Sequence, residues 1–189
     1  MKIIITNISK IITWNNQSNS LEIIEYKDIL IENDKIVQID TNIVSYDKVI
    51  DGKQCVLTPG FIDSHTHPIF IGNRSHEFEM RAHGKTYQDI SKAGGGINSS
   101  VNNLRSASID ELYDSSLNNI KPFIDFGTTT MEAKSGYGLT LKDEIKSLNV
   151  IKKINQNLDI DILPTFLGAH DFPDEYKNNK EKYVDLICE

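Results

Sequence analysis

The chain has 189 residues, a formal net charge of −7 and 39% hydrophobic residues. That suffices for one ordinary domain with a core, or one domain and a small appendage, and reads as soluble and globular; the negative balance without a Lys/Arg stripe argues against a nucleic-acid partner. The two cysteines, Cys55 and Cys188, are too few and too far apart for a disulfide framework or a thiolate zinc site, so a reducing cytoplasm is the expected setting.

The N-terminal "MKIIITNISKIITWNN" is interrupted by Asn, Ser and Lys. It reads as β-strand rather than as a signal peptide or membrane span. "DILIENDKIVQID" carries two apolar runs around Glu32-Asn33-Asp34-Lys35, a hairpin signal, and Asp51-Gly52 marks a further turn. Nothing before Gly60 sustains a helical period, so residues 1–58 are expected to form a small β domain.

From residue 59 the pattern changes. "GFIDSHTH" reads as a short buried strand, and "TYQDISKAGGGINSSVNNLRSA" as two short helices broken at Gly94-Gly95-Gly96. "SIDELYDSSLNNIKPFIDFG" is the clearest helix, with Ile109, Leu112, Tyr113, Leu117, Ile120, Phe123 and Ile124 at helical spacing, a Ser108/Glu111 capping box, Gly127 as a stop and Pro122 as an interior blemish. "TTTMEAKSG" reads as a strand. Thr140 with Asp143 opens the helical "LKDEIKSLNVIKKINQ"; "LDIDILPTFLGAH" is another strand, and the chain from Pro173 is helical again. Strands alternating with helices predict βα units around a parallel sheet over 59–189.

Each of these strands ends in a polar cluster: "GFIDSHTHP", "TTTMEAKSGYGL" and "TFLGAHDFP". The carboxyl ends of parallel strands converge on one rim, where chemistry sits. His65 and His67, at i and i+2, share a strand face and suit a divalent metal. Asp63 is either an orienting partner for a ligand or a solvated loop carboxylate. A catalytic metal needs more ligands than two; His170, at a strand end, is eligible, whereas His76 and His83 read as loop residues. Arg74 is either a fork for a substrate carboxylate or a rim arginine in a surface ion pair, with Arg81 a weaker candidate for the first task. Tyr137, between two glycines, is placed to hydrogen-bond a ligand approached closely by backbone.

"PGFIDSHTHP" resembles the first metal motif of the amidohydrolase superfamily, in which an HxH pair ends strand one of a (β/α)8 TIM-like barrel. "RAHGKTYQDISKAGGGINSSV", "TTTMEAKSGYGL" and "LGAHDFP" narrow the resemblance to the imidazolonepropionase family, over nearly the whole chain to about Pro173. The resemblance implies an incomplete barrel of about three strands after a small β domain that normally takes further strands from the far end of the chain. It implies one divalent metal, zinc or iron, held in part by His65 and His67. It makes Arg74, Tyr137 and His170 substrate contacts, His170 also contacting the transition state. The implied reaction is hydrolysis of the cyclic amide of 4-imidazolone-5-propanoate to N-formimidoyl-L-glutamate in histidine degradation, with metal-activated water as nucleophile. The family's remaining ligands and its general acid/base correspond to positions beyond Glu189, so this chain alone is expected to be inactive. A cytoplasmic enzyme, homodimeric when complete, with no nucleic-acid or membrane partner, is the implied setting. Two other readings stand: a ring deaminase of the same superfamily, which leaves "EAKSGYGL" and Arg74 without a purpose, and a non-catalytic half-chain that needs a second polypeptide.

Overall fold

A computed structural model describes residues 1–189, which separate into two compact units, Met1–Pro59 and Gly60–Glu189. The first unit is all β: β1 (Lys2–Thr6), β2 (Lys10–Asn15), β3 (Ser20–Glu25), β4 (Asp28–Glu32), β5 (Lys35–Asp40), β6 (Lys48–Asp51) and β7 (Val56–Leu57). They form two sheets, in the orders β5-β4-β1-β6 and β3-β2-β7. Alternating isoleucines supply the apolar face that such strands need. Ile8, Ile11 and Ile29 are buried together, with Ile5, Ile24, Ile31 and Leu57 packed around them. The β4–β5 hairpin turns through Asn33 and Asp34, both at positive φ (49° and 64°), the backbone of a two-residue turn matched to strand twist.

The second unit runs β8 (Phe61–Thr66), α1 (Ser75–Ala82), α2 (Tyr87–Lys92), α3 (Ile97–Ser106), α4 (Ile109–Asp125), β9 (Thr128–Lys134), α5 (Leu141–Asn155), β10 (Asp161–Thr165) and α6 (Lys180–Cys188). Its sheet is β10-β9-β8, all parallel. Met131 and Ala133 of β9 are fully buried among Leu112 and Ile120 of α4, Val150, Ile151 and Ile154 of α5, and Ile162 of β10. Glu132 and Lys134 alternate with them and lie on the opposite face, as the period of two requires.

Local chemistry sets the ends of these helices. The Ser108 hydroxyl accepts from the Glu111 N–H, and the Glu111 carboxylate accepts from the Ser108 N–H, closing the capping box of α4. Pro122 falls in the last turn, and the helix runs on to Asp125. Thr140 caps α5 by accepting from Asp143 N–H. Lys146 of α5 donates to the carbonyls of Leu104 and Ala107, at 2.7 and 3.0 Å, satisfying the carboxyl end of α3.

Three expectations are corrected. The first strand of the second unit is not buried: Phe61 and Ile62 of β8 are 59% and 74% exposed, and only Thr66 at its end is buried. The stretch containing His76 and His83 is not a loop: His76 lies inside α1 and His83 caps its end. The third barrel-type strand ends at Thr165 rather than running to His170. Pro164, which has no N–H, sits on this edge strand, and Gly168–His170 form a separate 3-10 turn. No helix is long and apolar enough to cross a membrane.

Candidate functional site

Because β8, β9 and β10 are parallel, their carboxyl ends share one side of the second unit. His65 is near the end of β8 and His67 lies one residue beyond it; the pairing of β8 with β9 is irregular between Asp63 and Thr66. The His65 and His67 rings meet edge to face with centroids 5.3 Å apart. Tyr137, from the loop after β9, lies 5.9 Å from His67, and His170, from the turn after β10, stacks on His67 at 5.1 Å. Tyr137 and His170 are 5.2 Å apart. Four aromatic or imidazole rings from three strand ends therefore form one cluster.

The loops are held by buried groups. The Glu144 carboxylate, at 3% exposure, accepts three backbone N–H bonds: from Gly136 at 2.9 Å, and from Gly138 and Leu139 at 2.8 Å each. It fixes the loop on both sides of Tyr137. Gly136 has φ +108°, and a Cβ there would lie 2.9 Å from the Leu167 carbonyl oxygen and 3.0 Å from the His170 ring, so only glycine fits. The His170 Nδ1–H donates to the Gly136 carbonyl at 2.9 Å, leaving Nε2 for other chemistry. The Tyr183 hydroxyl donates to the Gly168 carbonyl at 2.7 Å and anchors the turn bearing His170; burial pushes its phenol up to about 12.

His67 titrates below its ordinary value, first because of burial, then because of the charges of His170 and His65. Burial raises Tyr137. These shifts favour a neutral imidazole and a protonated phenol, a ligand and a hydrogen-bond donor respectively. The Nδ1 atom of His67 is buried and has no hydrogen-bond partner. An unpartnered buried imidazole nitrogen next to a second imidazole is compatible with part of a divalent metal's coordination, and His65 and His67 are the residues that could supply it. No group of three or more His, Cys, Asp or Glu side chains is arranged to hold an ion. Asp63 accepts from the His65 backbone N–H at 3.3 Å, so its one visible bond supports the strand end rather than a ligand ring.

Arg74 is the residue just before α1. Its Nε–H and Nη2–H donate to the two oxygens of Glu77, at 2.8 and 2.6 Å. Arg74 lines a cavity of about 290 Å³ together with Phe70, Ile71, Asn73, Asn103 and Tyr137. Arg81, exposed on α1, does not line it. The ion pair and the cavity position thus coexist in Arg74. Sequence reading missed Glu77, although R-x-x-E at i, i+3 on a helix signals such a pair. It also missed Glu132 and Lys134, which form a half-buried ion pair on β9 next to Thr66. Burial pushes Glu132 up, but bonds from Lys134, Thr165 and the Thr66 N–H outweigh it and hold the carboxylate below its ordinary range.

Glu77 is held low by the Arg74 bonds, with burial opposing and the Gly96 N–H assisting. A carboxylate with a depressed folded-state pKa adds stability above its unfolded value, near 4.5, and loses it as pH falls through the lower folded value. Unfolding by urea at stepped pH should therefore show stability falling below about pH 4.5, with a shallower fall in Glu77→Gln. Equal slopes in the two proteins would remove Glu77 from the account.

No protein-family model matches the chain. Curated relatives do. It is 40% identical to an imidazolonepropionase of Christiangramia forsetii over 200 aligned residues, which cover 99% of this chain and 49% of the relative. It is 51% identical to one of Aliivibrio fischeri over 141 residues, 75% of this chain and 35% of the relative. The chain thus spans half or less of the length of the relatives it matches. Among solved structures it resembles a triazine hydrolase of Arthobacter aurescens, with a TM-score of 0.56, 18% identity, and coverage of 87% of this chain and 35% of that one. It also resembles an N-isopropylammelide isopropylaminohydrolase of Burkholderia multivorans, with a TM-score of 0.55, 18% identity, and coverage of 87% and 37%. At that identity the likeness concerns the mixed α/β fold. By sequence, this chain belongs with the imidazolonepropionases.

Proposed function

We propose that this chain supplies the first part of an imidazolonepropionase: residues 1–58 as part of a small β domain, and 59–189 as the first three βα units of a (β/α)8 barrel. The reaction is hydrolysis of the cyclic amide of 4-imidazolone-5-propanoate to N-formimidoyl-L-glutamate. The observation that carries the reading is the convergence of His65, His67, Tyr137 and His170 at three parallel strand ends, beside a cavity that contains Arg74.

In this reading His65 and His67 hold a zinc or iron ion, and the remaining ligands come from residues outside this chain. When bound, the metal lowers the pKa of water to about 7 and polarises the amide carbonyl. Arg74 takes the propanoate carboxylate on the donors that Glu77 leaves open. Tyr137, a protonated phenol, donates to the ligand. His170 has its Nδ1 proton committed to the Gly136 carbonyl, so as the imidazolium it would donate its Nε2–H to the negative charge developing on the ring oxygen. The setting is cytoplasmic, and the substrate is a small molecule.

The test is an assay for N-formimidoyl-L-glutamate. The 189-residue chain with zinc or iron is expected to give no turnover by itself, and to give turnover when mixed with a polypeptide covering the unmatched remainder of the Christiangramia relative. No product in the mixture would overturn the reading. Ammonia release without ring opening would favour the deaminase alternative instead.

A further inference from the structure

The side chain of Glu77 is 3% exposed, and it spends both oxygens on defined partners. Oε2 accepts from Arg74 Nη2, while Oε1 accepts from Arg74 Nε and from the Gly96 N–H at 2.8 Å. Gly96 has φ +75° and belongs to the glycine loop between α2 and α3, so one carboxylate ties the start of α1 to that loop. A guanidinium offers two two-point edges, Nε–Nη2 on its side and Nη1–Nη2 at its end. Glu77 fills the side edge, and only the end edge is left for anything in the cavity of about 290 Å³.

Resting on the reading that Arg74 takes the substrate carboxylate, we propose that Glu77 is a positioning residue: it locks the plane of the Arg74 guanidinium so that the end edge receives a monocarboxylate tail in a fixed orientation, and thereby sets the preference of the cavity for that tail. The sign of the effect separates this role from its alternatives. Glu77→Gln removes a negative charge beside the cavity. If Glu77 acted only as a charge, its loss would raise the local positive potential and tighten carboxylate binding. If it were only structural, the variant would lose stability and keep the preference. A positioning role weakens carboxylate binding although the site becomes more positive.

The probes are 3-(imidazol-4-yl)propanoate and 4-propylimidazole, which differ in the carboxylate, titrated into the 189-residue chain and followed by NMR. The unaltered chain is expected to prefer the carboxylated probe, and the Arg74 Nε–H to exchange slowly with solvent. Glu77→Gln is expected to reduce the preference about tenfold, the value of one lost contact to a charged group. Glu77→Asp keeps the charge but is one methylene too short for the two-point pair, should reduce the preference in the same direction, and decides the matter if the glutamine variant does not fold. A preference unchanged or increased in the folded variants, or fast exchange of the Arg74 Nε–H, overturns the proposal alone. An unaltered chain with no preference overturns the Arg74 reading and this proposal with it.

Discussion

Replacing Glu144 with alanine is expected to destabilise the second unit by about 3–5 kcal/mol, because it strands three buried backbone donors at once. The carboxylate accepts from the N–H groups of Gly136, Gly138 and Leu139, which an alanine side chain cannot replace. Glu144→Gln should cost less. Its amide oxygen keeps the acceptor shared by Gly138 and Leu139, while its amide nitrogen meets the Gly136 N–H donor to donor. The measurement is urea unfolding followed by backbone amide exchange in α5. The only tryptophan, Trp14, is in β2 of the first unit, so its fluorescence reports that unit and the α5 amides report the second. Alanine and glutamine variants that both unfold with the unaltered chain would show that water replaces the carboxylate without penalty. The functional corollary is that Tyr137 and His170 lose their common frame, since Gly136 bonds to Glu144 through its N–H and to His170 through its carbonyl.

Replacing His67 with alanine is expected to lower zinc affinity of the chain by at least about 10–100-fold, no less than the loss of an outer partner of a metal ligand costs. His65→Ala should do the same. The imidazoles are the only ligand-grade nitrogens at this strand end, and the buried Nδ1 of His67 has no protein partner to compete for it. His76→Ala, on the exposed face of α1, should leave affinity unchanged. His170→Ala distinguishes the two roles considered for that residue: a substrate contact leaves zinc affinity nearly intact, whereas a ligand lowers it as His67 does. Competition against a chromophoric chelator reads all four variants. Equal losses at His67 and His76 would show that zinc binds at scattered surface histidines and would sink the site.

The physical reason some of this was legible is local. The β4–β5 turn follows from Asn33-Asp34, residues that tolerate positive φ; the start of α4 follows from Ser108 and Glu111; the start of α5 follows from Thr140 and Asp143. Each of these depends on atoms within four residues of one another. The i, i+2 spacing of His65 and His67 likewise predicts neighbouring rings, because alternate strand residues share a face. The helix α1 escaped because its sequence, "SHEFEMRA", has almost no apolar face; it is stabilised instead by the buried Glu77, whose partners are Arg74 one turn earlier and Gly96 nineteen residues later.

By itself, then, the sequence determined the all-β character of residues 1–58, the strand–helix alternation that follows, and the residue types available at each strand end. Only the tertiary structure decided which of them meet. The stacking of His170 on His67 depends on parallel pairing of β8, β9 and β10, and on Glu144 and Tyr183 fixing two loops from a distance. The same holds for Arg74, whose side edge is taken by Glu77 and whose end edge is left open. Hydrogen bonds between groups far apart in the chain carry no periodic signature, and they are what turns three polar strand ends into one site.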